Sequence, residues 1–208
     1  MTSAALITFT TALFAVINPF GSTAIFIGMV TGHSAAERRS IAIRASIAVA
    51  VILLTSIWAG EYVLRLFDVG IPGLETAGGI MITLIALSML QNNANPVNDS
   101  TDGSSAAPKQ DIAIVPLAMP VIAGPGSIVT VIVNTHLYHG VESNLKMSLV
   151  SIAIAGIVCV CLLSSKAIAK ALGTNGMNIL TKFMGMVLLA IAMGMLTEGL
   201  KGLLPGLA

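Results

Sequence analysis

Residues 16–27 read VINPFGSTAIFI, and residues 121–132 read VIAGPGSIVTVI. The two stretches are 105 residues apart and share Val16/Val121, Ile17/Ile122, Gly21/Gly126, Ser22/Ser127 and Ile27/Ile132. Each sets proline and glycine into the middle of an apolar run. Proline removes a backbone donor and clashes with the preceding turn. Glycine loosens the backbone, and a serine or threonine just beyond is a good cap for a new helix. The first stretch predicts one half-helix ending near Ile17 and another starting near Ser22. Gly124-Pro125-Gly126-Ser127 predicts the same break in the second stretch, with Pro116 and Pro120 bending the chain further upstream.

A second correspondence supports the first. Residues 79–90 (GIMITLIALSML) and 185–196 (GMVLLAIAMGML), 106 apart, share Gly79/Gly185, Ile85/Ile191, Ala86/Ala192, Met89/Met195 and Leu90/Leu196. The chain therefore reads as a duplication: a first repeat over 1–91, a polar loop over 92–110, and a second repeat over 111–208.

Composition decides the solvent. Of 208 residues, 56% are hydrophobic and only 9% charged, and mean hydropathy is +0.96. A soluble domain carries about 25% charged residues to wet its surface, so this chain is expected to face lipid. Apolar runs fall at about 4–30, 41–67, 70–90, 112–137, 147–172 and 177–200. Each is long enough to cross the hydrocarbon core. Backbone groups find no water there, so the spans should be helical, and the alternating pattern of a membrane barrel is absent. The expected fold class is an all-α membrane protein of six transmembrane helices, with helices 1 and 4 broken. Three spans per repeat is an odd number, so the second repeat should be inverted relative to the first, an arrangement common in secondary transporters. Met1–Thr11 contains no Lys or Arg, so the first run reads as a retained helix rather than a cleaved signal.

The loops add detail. Ser34 and Glu37 have the spacing of a capping box, and Gly32 can end the helix before it. Arg38, Arg39, Arg44, Lys109, Lys166, Lys170 and Lys182 fall by the odd-numbered loops, against Arg65, Lys146 and Lys201 by the even ones. The positive-inside rule puts odd-numbered loops in the cytoplasm and both termini outside.

Several functions lack support. No basic tract with interleaved aromatics suggests nucleic-acid binding. No Walker motif suggests ATP hydrolysis, and no nucleophile–base pair suggests an enzyme. Cys159 and Cys161 sit two apart in an apolar run and read as buried free thiols. A metal site from His33, His136 and His139 is not expected, because His33 should lie at the opposite end from the other two. No cofactor is implied.

The breaks themselves are the candidate site. A broken helix frees N–H groups at the start of its second half, where the dipole favours a carboxylate. Carbonyls ending the first half, with the Asn18 amide oxygen, would accept from an ammonium group. Asn18, Gly21, Ser22 and Thr23 from the first span and Gly124, Gly126 and Ser127 from the fourth would thus bind a small zwitterion at the midplane. The alternative is that both breaks are kinks that aid packing. Glu61 and Glu198 stand near span ends and read as interfacial. Asn134 and Thr130 would face either a pore or a neighbouring helix, Gly78, Gly79 and Gly185 would let helices approach closely, and the methionines of the sixth span read as packing.

The quoted motifs, with Ser34-Ala-Ala-Glu-Arg-Arg39, Gly60-Glu61 to Phe67, Ala77-Gly-Gly-Ile80 and the run Val115-Pro-Leu-Ala-Met-Pro-Val-Ile-Ala-Gly-Pro-Gly-Ser127, resemble the MarC family of six-span bacterial and archaeal inner-membrane proteins. The resemblance covers nearly the whole chain. It implies transport of small neutral amino acids such as glycine and alanine, coupled to a proton or sodium gradient, in a bacterial or archaeal inner membrane. Expected partners are the lipid bilayer and a small-molecule substrate; the glycine-rich faces are compatible with a homo-oligomer. The rival readings are a channel or exporter of another small solute or ion, and a non-transporting accessory protein.

Overall fold

The structure, a computed structural model, describes residues 1–30, 32–91, 122–204 and 206. The polar loop 92–110, with Lys109, and the stretch containing Pro116, Pro120 and Val121 lie outside the described residues. Among those described there are only helices and turns. The helices are α1 (Ser3–Ile17), α2 (Pro19–Met29), α3 (Ala35–Leu66), α4 (Ile71–Leu90), α5 (Pro125–Leu137), α6 (Val141–Leu163) and α7 (Ser165–Leu203). Helix α7 is interrupted at Gly173, whose φ of 62° and ψ of 179° are not helical.

Five segments are long and apolar enough to cross a membrane: Ser3–Met29, Ala35–Leu66, Ile71–Leu90, Val141–Leu163 and Asn175–Leu203. They match five of the six expected spans. The fourth apolar run is described only from Ile122 onward, and its helix α5 has 13 residues. At 1.5 Å per residue that is about 20 Å, short of the ~30 Å hydrocarbon core.

Local chemistry explains the helix limits. At Ser34 the capping box forms: Glu37 N–H donates to Ser34 Oγ at 3.3 Å, and Ser34 N–H donates to Glu37 Oε2 at 2.8 Å. Helix α2 ends earlier than Gly32, at Met29, and Gly32 takes up φ 88° in the turn that follows. Helix α3 starts at Ala35, well before the apolar run at 41. The capping box starts the helix among charged residues, which project beyond the apolar layer.

The helices pack in a fixed pattern. Helix α4 lies along α7, and α3 along α6. Helix α5 contacts α3 and α4, while α2 contacts α6 and α7. Two buried clusters result. One joins Phe9, Leu13 and Ile17 of α1 to Phe26, Leu53 and Met147; the other joins Ile82 and Ala86 of α4 to Leu188 and Ala192 of α7.

The second cluster depends on glycine. A Cβ on Gly79 would stand 2.9 Å from Leu196 N and 3.0 Å from Ala192 O. A Cβ on Gly185 would stand 3.1 Å from Met89 Cβ and 3.2 Å from Ala86 O. Each glycine faces the backbone turn that corresponds, 106 residues away, to the turn faced by the other. Helices in lipid gain little from hydrophobic exclusion, so contact of this closeness is what holds them. Met184 is buried, whereas Met186 and Met193 point outward and so do not pack as the sequence reading expected.

Gly79→Leu and Gly185→Leu should each destabilise the protein by about 1–3 kcal/mol through overpacking, read as a lower unfolding temperature in detergent. Gly156→Ala, where a Cβ meets nothing within 4 Å, should leave that temperature unchanged or raised.

Candidate functional site

The first break is built around one residue. Asn18 takes a left-handed backbone (φ 46°, ψ 69°) and caps both helices that meet there. Its N–H donates to Phe14 O at 2.9 Å and closes α1, and its Oδ1 accepts from Gly21 N–H at 3.1 Å and opens α2. Asparagine is among the few non-glycine residues that tolerate this conformation. Pro19 follows at the first helical position, where a missing N–H costs nothing. Helix α1 ends at Ile17 as expected, but α2 starts at Pro19 rather than near Ser22. Gly21, Ser22 and Thr23 therefore lie inside the first turns of α2, and Ser22 is not a cap.

The second break repeats this plan. Gly124 is the N-cap of α5 and Pro125 its first residue. The caps Asn18 and Gly124 are 106 residues apart, the spacing of Gly79 and Gly185, whereas the matched Gly-Ser pairs are 105 apart. The Gly-Ser match is thus one residue out of structural register.

The two breaks lie side by side. A Cβ on Gly126 would stand 2.6 Å from Ile82 Cγ1 and 3.3 Å from Val16 Cγ1, and Val16 is two residues before Asn18. Asn18, Ser22, Thr23 and Ser127 are all buried. Most of their polar atoms are already engaged. Ser22 Oγ donates to Ile17 O at 3.2 Å, Thr23 Oγ1 to Pro19 O at 2.8 Å and Ser127 Oγ to Gly124 O at 2.9 Å. Asn134 and Thr130 likewise bond back within α5, to Thr130 O and Gly126 O. Gly126 serves close approach to Ile82.

What the junction offers a ligand is donors. Asn18 Oδ1 is already in the cap, so the amide presents its Nδ2, whose partner is Met89 Sδ at 3.7 Å. A thioether is a weak acceptor. Ser22 N–H and Ser127 N–H are bonded to Asn18 O and Gly124 O. The first-turn donors outside these bonds are Phe20 N–H and Gly126 N–H.

Two cavities stand elsewhere, at opposite ends of the bundle. One, of about 220 Å³, lies where α2, α3 and α6 meet and is lined by Phe26, Arg38, Arg39, Leu162 and Lys166. The other, of about 240 Å³, lies where α3, α5 and α6 meet and is lined by Trp58, Glu61, Tyr62, Arg65, His139 and Asn144. The N-terminal ammonium of Met1 donates to Ser143 Oγ at 3.2 Å and marks this second end. Glu61, read from sequence as merely interfacial, here meets His136 and His139 from another helix. The only sequence signal for that was the three-residue spacing of the two histidines.

Residues 3–204 match the family model described as MarC family integral membrane protein. The chain is 35% identical over 197 residues to the UPF0056 membrane protein YhcE of Escherichia coli, covering 94% of this chain and 91% of that one. It is 37% identical over 199 residues to YvbG of Bacillus subtilis, covering 93% of each. A relative from the archaeon Methanocaldococcus jannaschii is 32% identical over 193 residues, covering 93% of this chain and 94% of its own. No solved structure matches.

Asn18→Ala should cost about 1–2 kcal/mol from the lost cap, with a further ~1 kcal/mol from the left-handed backbone. Asn18→Gly, which keeps the backbone free, should cost a few tenths of that sum. Thermal unfolding of the two variants in detergent checks the order.

Proposed function

We propose that this chain, which belongs to the MarC family of integral membrane proteins, is a secondary transporter of small neutral amino acids such as glycine or alanine. It is not an enzyme in this reading. The observation that carries the proposal is the pair of helix breaks at Asn18 and Gly124, alike in construction and adjacent in the fold.

Inverted repeats are the architecture in which such paired breaks form a midplane site. Four features support that architecture here. The caps Asn18 and Gly124, the helix starts Ala35 and Val141, the helical ends Leu66 and Leu172, and the glycines Gly79 and Gly185 all stand 106 residues apart. The packing is paired in the same way: α2 with α6 and α7, α5 with α3 and α4. Helices α4 and α7 run antiparallel, since Gly79 meets Leu196 while Gly185 meets Leu90. The fourth span then consists of the residues before Gly124 together with α5, giving six. Alternating access would rock one repeat against the other and open the two end cavities in turn.

The donor-rich junction suits the carboxylate of a zwitterion. Asn18 Nδ2, Phe20 N–H and Gly126 N–H would hold it, with the carbonyl ends of the first half-helices toward the ammonium. This shifts the role of Asn18 from acceptor to donor. Ser22, Thr23, Gly124 and Ser127 contribute by building the breaks. The grouping of Arg38, Arg39 and Lys166 around one cavity supports the cytoplasmic assignment of that end. Arg65, Lys146 and Lys201 at the other end are each paired with an acid, Glu61, Glu142 and Glu198. Relatives in bacteria and archaea fit a cell-membrane location with both termini outside.

Proteoliposomes of the purified protein should take up radiolabelled glycine or alanine saturably when a proton or sodium gradient is imposed. Folded, inserted protein with no uptake under either gradient would sink the substrate assignment. Asn18→Gly should raise KM about tenfold, the worth of one hydrogen bond to a charged group, with its unfolding temperature nearly unchanged. An unchanged KM would remove Asn18 from the site.

A further inference from the structure

The last turns of α3 and α5 converge on three donors of mixed type. Glu61 is on α3, His136 is on the final turn of α5, and His139 follows just before Gly140, whose φ of 119° turns the chain into α6. One ligand atom from each lies within 4.8 Å of the other two. Glu61 Oε1 is 3.7 Å from His136 Nδ1 and 3.9 Å from His139 Nε2. These distances exceed a hydrogen bond. The imidazole centroids are 5.1 Å apart with planes at 63°, so the rings are not stacked. The three groups surround a point rather than bond to one another.

Two orphan atoms sharpen the picture. His136 Nδ1 is buried and has no hydrogen-bond partner, although it faces Glu61. Asn144 Oδ1 is also buried without a partner, and Asn144 lines the same cavity as Glu61 and His139. A buried polar atom left unbonded is costly and calls for an explanation. One ion accounts for both. It would take His136 Nδ1 as a ligand, and a water on its open position would donate to Asn144 Oδ1.

We propose that Glu61, His136 and His139 form a binding site for a divalent transition cation of the zinc type at the end of the bundle that carries the N-terminus. Two imidazoles and one carboxylate favour zinc, copper or nickel over magnesium or calcium, which prefer all-oxygen ligands. Three protein ligands with one open position is a known zinc arrangement. With bonds near 2.1 Å, tetrahedral ligand atoms stand about 3.4 Å apart. The present triangle must contract by roughly 1.4 Å on its longest side to reach that spacing. His136 and His139 are 43% and 61% exposed and free to adjust by rotation. The competing group is Arg65, whose Nη2 donates to Glu61 Oε1 at 2.7 Å. Its guanidinium is 72% exposed, so it can leave to solvent, and the carboxylate has a second oxygen to offer. The ion would tie α3 to α5, elements of different halves of the chain. The site does not rest on the transport reading, because it is tested by metal binding alone.

The untagged full-length protein in detergent, stripped with chelator, would be titrated with Co²⁺ while visible absorption is followed, and then with Zn²⁺ in competition. Saturation at one ion per chain, with tetrahedral Co²⁺ bands that Zn²⁺ abolishes, is expected. His136→Ala and His139→Ala should each weaken Zn²⁺ more than about tenfold, since even groups that only orient a ligand matter by 10–100-fold. Arg65→Ala should bind at least as tightly as the parent, and His33→Ala should bind identically. Unfolding temperatures of the metal-free variants confirm folding, and His139, being exposed, keeps the test available if His136→Ala misfolds. No saturable binding, binding indifferent to both histidines, or binding lost in Arg65→Ala would each overturn the site.

Discussion

A helix interrupted inside hydrocarbon must find partners for every backbone group the interruption frees, because no water is there to supply them. Asn18 solves this with a single residue. Its left-handed backbone closes one helix and its side-chain oxygen opens the next, while Pro19 brings no donor that needs satisfying. Ser22 and Thr23 turn their hydroxyls back to carbonyls on either side of the break. Gly124 and Pro125 reach the same end with the roles of cap and first residue kept and the capping side chain dispensed with. The rest of the bundle is arranged around these two interruptions.

Close backbone approach does the other half of the holding. In lipid, apolar side chains gain little by leaving one hydrocarbon environment for another, so van der Waals fit decides which helices pair. Gly79 and Gly185 bring α4 and α7 to backbone contact, and Gly78 and Gly60 receive Val129 and Ile132 of α5. The outward faces carry large apolar residues instead. Trp58, Tyr62, Leu66 and Phe67 are all exposed near the end of α3, where aromatic rings suit the membrane interface. The end cavities differ in chemistry although they occupy corresponding places. One is ringed by arginine and lysine; the other holds a carboxylate, two histidines and an arginine already paired to the carboxylate. That asymmetry gives an otherwise duplicated scaffold two distinct faces.

The amino-acid sequence alone determined that this chain lives in lipid, that its spans are helical, that one helix is broken after Ile17 and that Ser34 and Glu37 start another. These follow from composition and from contacts within a few residues, which proline, glycine and capping side chains dictate locally. Tertiary structure alone decided where α2 starts, because the cap is a bond between Asn18 and Gly21 that competes with the one Ser22 seemed suited to make. It decided the register of the two halves at 106 rather than 105 residues, since helix starts are set by caps and not by matched letters. It turned Asn18 from an acceptor into a donor by engaging its oxygen. It also brought Glu61 to His136 and His139, about 75 residues away in sequence. No local pattern announces that meeting, which depends on how two helix ends converge when the glycine contacts between them close.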